Sequence, residues 1–76
     1  MEPMIRARIR QAHGLARSVV DYASRAAEAA DDAAHRDPAL RERIRAAAAQ
    51  MYAIADVARD AEKVLADLQK DMSHGD

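Results

Sequence analysis

The residues able to do chemistry are few and scattered. Asp32-Ala-Ala-His35 has the i, i+3 spacing that puts a carboxylate and an imidazole on one side of a helix, as in di-metal bundles. Such a centre needs further carboxylates pointing the same way, and the apolar stripe of this chain holds none, so the expectation is no metal and no cofactor. His13, His35 and His74 fall on a helix edge, in a turn and in the tail, while Ser18, Ser24 and Ser73 have no base at a useful spacing. Gly-rich phosphate loops and nucleophile-elbow patterns are both missing. The reading is a protein that is not an enzyme.

Arginine and tyrosine are the remaining chemistry, and they lie in rows. Arg6, Arg10, His13 and Arg17 follow one another at steps of four, three and four, with Val20 and Ala27 beyond; Arg41, Arg45, Ala48, Tyr52, Ala55 and Arg59 form a second row. Tyrosine and arginine are over-represented at binding hot spots. Arg17, Val20, Arg41, Arg45, Tyr52, Ala55 and Arg59 are therefore the expected docking surface for a protein partner. The same arginines, with Arg6 and Arg10, make nucleic acid the alternative ligand. Against that, twelve Lys and Arg balance thirteen Asp and Glu, and aromatic residues are sparse. Part of the basic character is also matched internally: the arginine-rich start of the chain would lie beside Asp60, Glu62, Asp67 and Asp71, and Glu28, Asp31 and Asp32 beside Arg41, Arg43 and Arg45.

The elements that must carry these rows follow from composition and punctuation. Alanine dominates, Phe, Trp, Thr, Asn and Cys are absent, and there are only two glycines and two prolines, a composition that favours helix. Asp37-Pro38 pairs an N-cap residue with proline at the first helical position, and the residue before proline resists the helical conformation. A first helix over about 3–35 and a second over about 38–72 follow, with 73–76 as a disordered tail of a single domain. Ile5, Ile9, Ala12, Ala16, Val19, Ala23, Ala26, Ala30 and Ala33 recur at alternating steps of four and three. Leu40, Ile44, Ala47, Met51, Ile54, Ala58, Ala61, Leu65, Leu68 and Met72 continue the pattern. This is a heptad spacing. A short turn makes the helices antiparallel neighbours, with facing residue numbers summing to about 73 or 74.

A hairpin of 76 residues buries little apolar surface on its own. Leu15, Tyr22, Ala53, Val57 and Val64 spill over one edge of the heptad stripe and are the expected self-association face, giving a four-helix bundle from two chains. No apolar run approaches the ~20 residues needed to cross a bilayer, and the N-terminus lacks a signal-peptide pattern. The expectation is a cytoplasmic homodimer that works as an adaptor or inhibitor.

The hairpin layout, with DPAL (Asp37 to Leu40) opening the second helix, resembles type III secretion needle subunits. That resemblance implies a filament-forming structural subunit. The ending LADLQKDMSHGD is polar, however, where needle subunits carry an apolar C-terminus for assembly, so membership of that family is not implied.

Overall fold

The computed structural model describes residues 3–74. Two helices account for nearly all of them: α1, Pro3–Arg36, and α2, Arg41–His74. They lie side by side as an antiparallel hairpin 58 Å long and 15 × 12 Å across. Among the described residues there is no strand, and no helix is long and apolar enough to cross a membrane.

Local chemistry sets the ends of both helices. His35 and Arg36 occupy the last turn of α1, where positive charge favours the carbonyl end of the helix. His35 Nδ1 lies 2.8 Å from the Asp31 carbonyl, and Arg36 Nε donates to Asp32 Oδ2 at 3.1 Å. Asp37 then caps the connection: its Oδ1 accepts from the backbone N–H groups of Ala39 and Leu40 at 3.1 and 3.3 Å. The cap forms as expected, but Pro38, Ala39 and Leu40 make a turn, and regular helix starts at Arg41 rather than at 38. At the far end α2 continues through Ser73 and His74, two residues beyond the expected stop. There the Ser73 hydroxyl donates to the Gln69 carbonyl one turn back at 3.0 Å, a local side-chain-to-backbone bond within the helix. Gly75 and Asp76, the rest of the expected disordered tail, lie outside the described residues.

The face along which the helices meet differs from the expected one by a partial rotation. In α1 the buried and half-buried residues include Arg6, Ile9, His13, Ala16, Val20, Ala23, Ala27, Ala30 and Ala34. In α2 they include Arg41, Ile44, Ala48, Met51, Ala55, Ala58, Glu62, Leu65, Gln69 and Met72. Half of the expected stripe is thus between the helices: Ile9, Ala12, Ala16, Ala23 and Ala30 with Ile44, Met51, Ala58, Leu65 and Met72. The other half turns outward, including Ile5, Val19, Leu40, Ile54 and Leu68, and the residue after each takes its place. Ala27, Ala34, Ala48 and Ala55 explain why this is stable, because a methyl group at the contact lets two helix backbones come close where isoleucine or leucine would hold them apart. Arg41 Nε reaches the Ala34 carbonyl at 3.1 Å and His13 Nε2 lies 3.8 Å from Glu62 Oε1. In both contacts the residue numbers sum to 75, one above the expected register.

Candidate functional site

Each helix in the hairpin has two flanks, so the molecule has two broad faces of opposite character. One carries the outward half of the heptad stripe together with the neighbouring edge residues. Ile5, Leu15, Val19 and Tyr22 of α1, Leu40 of the turn, and Ile54, Val57, Val64 and Leu68 of α2 all expose much of their side chains here. Among the described residues only Met4, at the rim, and Tyr52, on the opposite side, are large exposed apolar residues outside this face. A shallow apolar depression of about 420 Å³ runs between the helices, where Val19 of α1 meets Ala53, Ile54, Val57, Ala58 and Ala61 of α2. This common lining puts Val19 on the same side of the hairpin as Ile54 and Val57, and helical spacing sets Leu15 and Tyr22 beside Val19. All five residues expected for self-association, Leu15, Tyr22, Ala53, Val57 and Val64, are exposed there. The sequence reading missed that Ile5, Val19, Leu40, Ile54 and Leu68 join them. The missing signal is which side of the heptad stripe the second helix takes.

The opposite face carries the expected docking residues, and the hairpin engages several of them itself. Ala55 is 2% exposed and cannot be touched by a partner. Val20 is half-buried between the helices. Arg41, also half-buried, is tied to the end of α1 through the Ala34 carbonyl. Arg59 Nη1 donates to Asp56 Oδ1 at 2.9 Å, and Arg17 Nε lies 3.9 Å from Glu62 Oε1, beside His13. Arg45 remains exposed. Tyr52 is 41% exposed and leans toward the start of its own helix, as helical side chains do, so that its hydroxyl reaches Asp31 Oδ2 across the hairpin at 3.3 Å. Partial desolvation against the helix surface, the Asp31 carboxylate with its hydrogen bond, and the charge of Glu28 raise the Tyr52 phenol above its ordinary value. Of the six arginines of the alternative nucleic-acid surface, Arg10, Arg17, Arg45 and Arg59 are exposed while Arg6 and Arg41 are half-buried.

No family model, curated protein or solved structure was found to match the chain. Its chemistry must be read from its own surfaces.

Gly14, Ser18 and Ser24 border an open trough of about 620 Å³ on the polar face with Arg17, Asp21, Arg59 and Glu62. A Cβ placed on Gly14 would meet nothing within 4 Å, so the glycine makes no room for a neighbour. Asp32 and His35, the pair at carboxylate–histidine spacing, make separate contacts: Asp32 with Arg36 and His35 with the Asp31 carbonyl. Among the described residues no group of three or more His, Cys, Asp and Glu is arranged to hold a metal ion.

Proposed function

We propose that this chain is a non-enzymatic protein–protein interaction module whose principal working surface is the apolar face of the hairpin. Two copies close that face on each other to form a four-helix bundle. The observation that carries the reading is the confinement of the exposed large aliphatic residues, with Tyr22, to one face of a two-helix slab. Exposed patches of this kind, when larger than a few hundred Å², mark interaction surfaces rather than ordinary protein exterior. A face running the 58 Å length of the hairpin has room for on the order of the 800 Å² per partner found in specific complexes. In a four-helix bundle each heptad stripe points at the common axis and not at a single neighbour. That geometry accounts for Ile5, Val19, Leu40, Ile54 and Leu68 standing proud of a lone hairpin.

Self-association then leaves the polar face outward, with Arg45 exposed, and with Tyr52 and Arg59 exposed but bonded to Asp31 and Asp56, to meet a further protein in the manner of an adaptor or inhibitor. Light scattering coupled to size exclusion tests the reading. The unmodified chain should elute at twice its chain mass, and Val19→Asp with Val57→Asp should give a monomer. Arg45→Glu with Tyr52→Ala should stay dimeric. A monomer for the unmodified chain, or an unchanged dimer for the aspartate variant, rejects it.

A further inference from the structure

We propose that the occupant of the apolar face is a second copy of this chain related by a twofold axis along the length of the hairpin. Turn then lies beside turn, and α1 of one protomer packs over α2 of its partner. The proposal rests on the self-association reading above and adds to it the direction and the register of the pair.

Rotation about the long axis leaves height along that axis unchanged, so the register of such a dimer is dictated by the hairpin itself. The Arg41–Ala34 and His13–Glu62 contacts put that register near a sum of 75, and the Arg17–Glu62 and Tyr52–Asp31 contacts, made by longer side chains, span more of the helix length. The outer edge of α1 carries Arg8, Leu15, Tyr22 and Asp32, and the outer edge of α2 carries Arg43, Ala53, Val57, Val64 and Asp67, all exposed. These two edges lie on opposite sides of one hairpin, and the twofold axis brings them together between protomers.

At that register several positions of the two edges are complementary in charge or size. Arg8 comes level with the partner's Asp67, and Asp32 with the partner's Arg43. Tyr22, the bulkiest residue on the face, comes level with the partner's Ala53. Leu15 comes level with the partner's Asp60, and the partner's Val57 and the partner's Val64 flank it one turn to either side. Opposed charges at the rim suppress wrong pairings and fix orientation. Every pair of adjacent helices in the bundle is also antiparallel.

The chain contains no cysteine, so a single Ala39→Cys substitution in the exposed turn gives one spin label per protomer. Turn beside turn predicts a label-to-label distance within about 20–30 Å, given helix axes ~10 Å apart. An end-over-end dimer places the labels about 50 Å apart, the length of a 34-residue helix, and overturns the proposal while leaving self-association standing. A monomeric mass with no dipolar coupling overturns both. A second measurement uses the rim charges. Arg8→Asp alone and Asp67→Arg alone should each weaken the dimer about 3- to 10-fold at low salt. The double variant should return to within about 2-fold of the original. Failure of the double variant to recover also overturns the proposal.

Discussion

Truncating Val57 to alanine separates the apolar face from the hairpin's own core. Val57 is 69% exposed in the single hairpin, so most of its surface is left for a partner to cover. Val57→Ala removes two methyl groups, each worth about 0.8 kcal/mol on full burial. Scaling by the exposed share gives about 1 kcal/mol of lost association energy per protomer. The symmetric pair loses about 2 kcal/mol, or ~30-fold in the dimer Kd. The part already covered within the chain amounts to about 0.5 kcal/mol, so helicity measured well above the dimer Kd should be nearly unchanged. Sedimentation equilibrium over a wide concentration range gives the Kd, circular dichroism gives the helicity, and Tyr52→Ala serves as the control on the opposite face. A Val57→Ala constant within about 3-fold of the original would refute the reasoning, since an error of that size exceeds the scatter in burial energies. So would equal weakening by Tyr52→Ala.

Three further outcomes follow from the contacts within the hairpin. Ala27 and Ala48 lie at one height between the helices and are 0% and 2% exposed, so Ala27→Leu should push the helices apart and destabilise by about 1–3 kcal/mol, read as a lower thermal midpoint at matched concentration. Asp37→Ala removes the acceptor for two backbone N–H groups at the turn and should cost about 0.5–2 kcal/mol in the same assay. In a Tyr22→Phe background Tyr52 is the one remaining phenol, and its ultraviolet titration should have a midpoint above the ordinary value of about 10. Asp31→Asn should bring that midpoint down. Because the folded state holds the phenol neutral, the stability this interaction contributes is present below the unfolded value and is lost as pH rises through the folded one, with no change near neutrality.

The hairpin was legible in the sequence because its signals are local. Asp37-Pro38 marks the break, the cap chemistry at Asp37 appears as expected, and the short connection leaves the helices no arrangement but antiparallel neighbours. The exposure of Leu15, Tyr22, Ala53, Val57 and Val64 was legible too, as apolar side chains displaced to one side of a heptad stripe. The rotation of the helices about their own axes was not legible. In an alanine-rich chain several stripes are apolar enough to pack, and periodicity does not distinguish Ala26, which ends up exposed, from Ala27, which is buried. A heptad spacing states which positions face a common centre, and that centre differs between two helices and four. The choice falls to size: alanines fit the close contact and the large aliphatics are left outside it. Tyr52 shows the same limit at the polar face. Its partner Asp31 is 21 residues away on the other helix, at a height that only the lean of the tyrosine side chain brings within reach.

Hydroxyl-radical footprinting of the two tyrosines in the unmodified protein tests most directly whether the apolar face is covered in solution. In the single hairpin Tyr22 is 69% exposed and Tyr52 41%, so a free hairpin would be labelled more heavily at Tyr22. Closure of the face by a second copy reverses that order: Tyr22 should be protected and Tyr52 labelled, with protection lost on dilution below the dimer Kd. Heavier labelling of Tyr22 than of Tyr52 at high protein concentration would contradict the account.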